Sequence, residues 1–405
     1  MDRVILHSDI NSCYASVERL FDPHLGERPF AVCGSAEERH GIVLAKDEKA
    51  KAAGVKTGMA IWQAKRLCPE LETVRPHFER YAKYSEMVRE IYSEYTDICE
   101  PFGIDENWLD ITGCLSCPDP AVTAQEIRRR VKQETGLTVS IGVSWNKVFA
   151  KLGSDYKKPD AVTVIDRERY RQTVWPLPAS ALLMVGRSTR RELARMGIRT
   201  IGEIACADPE LLTKCFGKSG ISLWRYANGM DDSRVRRVGE EELPQSVGNS
   251  ITLPYNIENE TEARRTLIML AESIGERLRR QKLMCRTVEG DLRSEQLSWQ
   301  SHRVRLRYAT DVTSELYTCG FELVRRCHDF SAPLHSLGLR ALELVHAEGE
   351  EQMDMFIDYV NLMKQRSIDR TVDKIRGKYG EGVIQRGCLI GDAAAANLAF
   401  CALPD

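Results

Sequence analysis

The sequence predicts an α+β protein of several domains. Its 405 residues are more than one compact core would hold. Apolar runs of strand period and of helix period both recur along it. Residues 234 to 247 then mix basic, acidic and Pro-containing segments without any period, which suits an exposed linker ahead of a separate last unit.

The elements follow in order. Residues 3 to 10, RVILHSDI, form a short apolar strand ending on an acid. Phe30 to Val32 and Gly41 to Ala45 read as two more strands. One helix is closed by Gly54, and another runs from Met59 to Leu67 and stops before Pro69. A longer helix covers Glu79 to Tyr95, ahead of the strand-rich stretch CEPFGIDENWLDIT. Ala121 to Thr135 is helical with Gly136 as its stop, TVSIGV is a strand, and Ser144 or Asn146 caps the helix after it.

Beyond Pro176 and Pro178 the chain is helical and short-looped to about Asp232. From Ser246 a strand, a helix capped by Asn259 with Glu262 three residues on, two strands, a helix over Asp311 to Cys327 and a last strand complete a strand–helix–strand–strand–helix–strand order. Leu267, Leu270, Ala271, Ile274 and Leu278 share one helix face. The tail reads as helical.

Composition sets limits. The apolar and charged fractions, 43% and 29%, are those of a globular protein. No apolar run approaches the roughly 18 residues of a membrane span, and no signal peptide opens the chain, so a cytoplasmic location without a membrane is expected. The thirteen cysteines are scattered and odd in number, as free buried thiols would be. Cys114-x-x-Cys117 lacks the second pair a zinc site needs. The net charge of −2 conceals basic clusters, with Arg187, Arg190, Arg191, Arg195 and Arg199 in one and Arg234, Arg236 and Arg237 in another.

The chemistry centres on acids. Asp9 ends a strand, where side chains commonly face a cleft. Asp105 and Glu106 are adjacent in an otherwise apolar and aromatic stretch, where burying them is costly without a cation. Three converging carboxylates suit magnesium. Acid pairs are also common in hairpin turns that face water, and the surrounding motifs decide between these readings.

DINSCYASVE, FGIDENWLDIT, GVSWNKVFAKLGSDYKKPD and SVGNS resemble the Y-family DNA polymerases, in particular their DNA polymerase IV group, over residues from about 3 to about 346. The resemblance implies a right-hand polymerase. A ferredoxin-like palm would take 1–22 and 76–165, small fingers 23–75, and a helical helix-hairpin-helix thumb 166–233. A linker over 234–245, an α+β little finger over 246–346 and a helical C-terminal tail over 347–405 would follow. It also implies two Mg2+ ions, with Mn2+ able to substitute, held by Asp9, Asp105, Glu106 and the backbone carbonyl of Ile10. Tyr14 falls on the steric-gate position that rejects a ribose 2′-hydroxyl. Lys158 and Lys51 match triphosphate-binding positions, and Ile42 and Leu44 lie over the nascent base pair. Lys51 stands where relatives usually have arginine, and Ala45 and Glu48 where many have Thr and Tyr.

MVGRSTRREL and MGIRTIGEIA resemble the helix-hairpin-helix elements of the family thumb, in which glycine turns, here at Gly186, Gly202, Gly217 and Gly220, would let backbone N–H groups approach phosphate, although Met184 stands where the first hairpin usually has an earlier glycine. Arg303, Arg305 and Arg307 alternate along one strand face, about 7 Å apart, at a stride suited to a phosphate backbone. Gln352, Met353, Met355 and Phe356 resemble a motif for the bacterial sliding clamp. The expected partners are primer–template DNA, deoxynucleoside triphosphates and that clamp, with the protein a monomer. A cyclase-like palm would not need the thumb and little finger, and a non-catalytic paralogue would not need a complete triad.

Overall fold

The computed structural model describes residues 3–35, 41–114, 119–240, 242–347 and 358–389. The chain divides into two compact units, one of Met1–Gly34 with Ile42–Glu240 and another within Glu241–Asp405.

The first unit is built on a five-stranded sheet ordered Cys99–Pro101, Glu106–Asp110, Ile5–Ile10, Val139–Ser144 and Val162–Val164. Ile5–Ile10 is buried at every residue, as befits a central strand covered on both faces. Helices Cys13–Phe21, Phe78–Ser93 and Pro120–Thr135 contribute to one core with it. Lys147–Tyr156 covers the strand from elsewhere, and its Val148, Phe149 and Leu152 share a core with Ile201, Leu212 and Leu223 from beyond Pro178.

Local chemistry sets the boundaries. Asp119 accepts from the amides of Ala121 and Val122 at 2.8 and 3.1 Å, with Pro120 as the first helical residue. Gly136 closes that helix in the left-handed region at φ 75°. Of the two caps weighed for the next helix, Asn146 is the one used, accepting from Phe149 N at 2.8 Å.

A three-stranded sheet, Val43–Lys46, Phe30–Cys33 and Glu72–Val74, carries the short helices Glu48–Ala52 and Ile61–Leu67. The stretch read as an exposed linker is partly held. Arg236 donates to Glu100 from its backbone at 3.1 Å and its guanidinium at 3.0 Å, and Val235 is buried. That strand end needed counter-charge, which a periodicity reading does not register.

In the second unit the strands Trp299–Thr310, Leu283–Ser294, Leu334–His346 and Ser246–Ile257 pair antiparallel in that order. Helices Glu260–Arg280 and Thr313–Cys327 contribute to its core. Asn259 caps the first of them at 3.0 Å through Glu262 N. A further helix, Tyr359–Tyr379, docks through ion pairs. None of the eleven described cysteines forms a disulfide; five are buried, while Cys206, Cys215 and Cys388 are exposed. Cys117 lies outside the described residues.

Candidate active site

Strand register brings the acids together. Asp9, the penultimate residue of its strand, lies opposite Glu106 on one neighbour and Ser140 on the other. Asp105 immediately precedes the Glu106–Asp110 strand, and its carbonyl accepts from Ile10 N at 2.9 Å. The acid pair therefore sits at the end of a hairpin connection, Asp105 within it and Glu106 opening the strand that follows. It is nevertheless drawn inward, because Ser85 of helix Phe78–Ser93 bonds to the Ile104 carbonyl. Asp9 is buried, and Asp105 and Glu106 are half-buried.

Each carboxylate is charged at a different cost. Burial pushes the Asp9 carboxyl up to about 7, against Lys158 and assisted by Glu106 and Asp105. Burial and Glu106 likewise raise Asp105. Burial would also raise Glu106, but hydrogen bonds with His7 and Lys151 outweigh it and hold the group well below the usual carboxylate range.

Lys158 Nζ lies 2.7 Å from Asp9 Oδ2 and 2.8 Å from Asp155, while Lys151 Nζ bonds to Glu106 Oε2. Ammonium groups thus sit on Asp9 and Glu106, and among the described residues no three His, Cys, Asp or Glu side chains close on a single point. The donors themselves, three carboxylates, are hard oxygen groups and fit a divalent cation.

A cavity of about 440 Å³ opens beside them. Asp9, Ile10, Tyr14, Asp105 and Lys158 line one part, with Leu44, Ala45, Lys46, Glu48 and Lys51 also on its walls. Glu106 and Ile42 are not among the lining residues; Ile42 is exposed and bridges to Ala60. The Tyr14 ring stacks on Tyr81 at 4.1 Å with 11° between planes, and meets Phe78 edge-on at 6.0 Å. Tyr81 is in turn held by Glu18, which also takes Arg80 at 3.0 Å and His77 at 2.9 Å.

Three of these partners escaped sequence reasoning. His7 shares a sheet face with Asp9, bonds Ser154 Oγ at 2.8 Å and stands 3.4 Å from Glu106. Lys151 is one helical turn from Lys147, and the i, i+4 spacing in NKVFAK was the available signal. Tyr81 gave no signal, since stacking between distant helices leaves no local pattern.

The residues read as DNA-facing fall into two groups. A Cβ on Gly186 or Gly217 would meet nothing within 4 Å, so their backbones are open to approach. On Gly202 it would lie 2.9 Å from Trp175 Cβ, and on Gly220 2.1 Å from the Leu212 carbonyl, so both have a helix-packing reason. Met184 adopts φ 72°, a conformation favouring glycine, so that turn keeps its shape under about 1–2 kcal/mol of strain.

Arg303, Arg305 and Arg307 are exposed along one strand face, with Val304 and Leu306 packed on the core opposite. Buried Glu289 holds Arg303, and Arg340 lies 3.7 Å from it. Gln352, Met353, Met355 and Phe356 lie outside the described residues.

A sheet that sets paired carboxylates beside a cation-lined cavity has the equipment of a nucleotidyl-transferring polymerase. Comparison with known proteins gives the same class. The impB/mucB/samB family model matches residues 8–155, and the model of that family's C-terminal domain matches residues 244–355. DNA polymerase IV of Acetivibrio thermocellus is 44% identical, with 97% of this chain and 98% of that one covered. DNA polymerase IV 1 of Bacillus subtilis is 36% identical, covering 96% and 93%. A solved Y-family DNA polymerase chimera shares the fold, with a TM-score of 0.74 at 21% identity over 85% of this chain and 99% of its own.

The chain belongs to the impB/mucB/samB family, within the Y-family DNA polymerases. It is a DNA-directed DNA polymerase of the lesion-bypassing kind, and dependence on divalent metal goes with that family. Among the described residues no helix is long and apolar enough to cross a membrane.

Proposed function

We propose that this cavity adds deoxynucleotides to a primer 3′-hydroxyl, with two Mg2+ ions held by Asp9, Asp105, Glu106 and the Ile10 carbonyl. Mn2+ is able to replace them. The observation that carries this reading is the pairing of Asp9 with Glu106 across adjacent strands, at a cavity whose walls present Lys46, Lys51 and Lys158.

In the reaction the primer oxygen bonds to the α-phosphorus, the bond to the β-phosphate's bridging oxygen breaks, and pyrophosphate leaves. When bound, the ions would lower the pKa of the attacking hydroxyl and neutralise charge on the leaving group. Lys51 and Lys158 meet the triphosphate, and the Tyr14 ring fills the space a 2′-hydroxyl would need. Leu44, with Ile42 nearby, lies over the new base pair. Gly186 and Gly217 approach the DNA backbone amid exposed arginines, Gly202 and Gly220 holding that framework, and Arg303, Arg305 and Arg307 contact phosphate. The tail motif, Gln352 with Met353, Met355 and Phe356, binds the sliding clamp. The protein acts as a monomer in the cytoplasm, where free thiols are stable.

Primer extension tests this directly. Asp105→Ala and Glu106→Ala are expected to lose at least about 10³-fold in rate, several kcal/mol of lost charge stabilisation. Chelation should abolish extension and either ion restore it. Variants as active as the parent would refute the site. With sliding clamp added, deleting residues 352 to 356 should remove its stimulation; undiminished stimulation would refute the clamp reading.

A further inference from the structure

Glu48 lies on the wall of the cavity that Asp9 and Asp105 also line. It begins the helix Glu48–Ala52, and its side chain is 50% exposed. Both its oxygens lie 3.3 Å from Lys51 Nζ, and Ser12 Oγ donates to it at 3.4 Å. Lys46 stands on the same wall, bonded to Thr57 at 3.1 Å. Burial and then the charge of Lys51 disfavour its ammonium form, and Glu48 opposes that. Glu48 is therefore the resident counter-ion of a cationic wall.

Resting on the reading of this cavity as the triphosphate site, we propose that Glu48 is an internal anion that competes with the triphosphate for Lys51 and so weakens binding of every incoming nucleotide. A carboxylate and a polyphosphate cannot share one ammonium without like-charge repulsion. The nucleotide must displace Glu48 from Lys51 or bind beside a negative charge, and both lower affinity. Because the competing group faces the phosphates, which all four nucleotides share, the penalty is independent of the base. Ser12 is released by the same displacement and becomes free to donate to a phosphate oxygen.

The test uses the full chain on a primer–template with a dideoxy-terminated primer, measuring the equilibrium Kd of each of the four deoxynucleoside triphosphates. Glu48→Gln is expected to tighten Kd by about three- to tenfold for all four, the range expected for a half-exposed charge. Glu48→Ala should do the same, which separates charge from shape. Lys51→Ala should weaken binding, and in that background Glu48→Gln should gain less than about twofold.

If Lys51→Ala weakens binding while Glu48→Gln leaves it unchanged or weaker, the competition is overturned and the cavity assignment stands. A gain confined to one base would also overturn it. If Lys51→Ala and Lys158→Ala both leave Kd unchanged, the cavity is not the triphosphate site and the proposal falls with that assignment.

Discussion

Tyr14 has little freedom to move aside, because its ring lies flat on Tyr81 and Tyr81 is bonded to buried Glu18. A steric filter works only if its wall is stiffer than the ligand it rejects. Stacking at 4.1 Å supplies that stiffness, worth roughly 0.5–1.5 kcal/mol beyond area burial. Tyr14→Ala is accordingly expected to lower the preference for deoxy- over ribonucleotides by roughly 10²-fold, through faster ribonucleotide use. Comparing kcat/KM for matched nucleotide pairs measures it, and an unchanged ratio would remove Tyr14 from that role. Asp9 and Glu106 show the same dependence on surroundings. They are neighbours across one strand pair, yet burial raises Asp9 while Lys151 and His7 lower Glu106.

Helix Lys147–Tyr156 is the element that ties the sheet to its charges. Ser154 meets His7, Lys151 meets Glu106, Lys147 meets Glu100 at 2.7 Å, and the Lys147 carbonyl accepts from Trp108 Nε1 at 3.0 Å. One helix face repeated every three to four residues thus serves three strands. Glu100 gathers both Lys147 and Arg236, and although burial works to raise it, these partners hold it below its ordinary value of 4.5.

For a carboxylate lowered in the folded state, the stabilisation is complete above that ordinary value and is lost as pH falls through the folded one. Glu100→Gln should therefore destabilise the protein by about 2 kcal/mol near neutrality. The deficit should shrink in acid. Denaturant unfolding at the two pH values reads the difference, and a deficit that grows in acid would contradict the assignment.

At the scale of the molecule, the tail helix completes the second unit. Asp369 accepts from Thr313 N at 2.8 Å, capping helix Thr313–Cys327, which has no cap of its own. It also lies 3.4 Å from Arg279, which pairs with Asp373, while Arg366 meets Asp311 at 2.8 Å and Arg376 meets Glu272 at 2.9 Å. Arg279, Asp311 and Asp369 are each nearly excluded from solvent, so a broken pair leaves an uncompensated charge. Asp369→Ala should open the first turn of helix Thr313–Cys327 by about 3 kcal/mol, accelerating its amide exchange roughly 10²-fold. Unchanged exchange there would mean that the tail is merely appended. The matched C-terminal family domain stops at residue 355, before this helix begins.

What the sequence determined by itself was local. The strand carrying Asp9 near its end, the alternation of Arg303, Arg305 and Arg307, the cap at Asn259 and the strand and helix order of the last unit all depend on spacing along the chain. Periodicity says which face a side chain occupies, and that much is legible because backbone geometry imposes it. It cannot say what stands opposite. Only register placed Glu106 against Asp9, and only helix packing brought Lys151 onto Glu106 and Tyr81 beneath Tyr14. The tertiary structure also decided the part that Glu48 plays. As a letter it was only an acid; in the fold its carboxylate lies on Lys51 and under Ser12. The reason is physical: the charge of a side chain belongs to the residue, but its effect belongs to whatever the fold sets within a few ångströms of it.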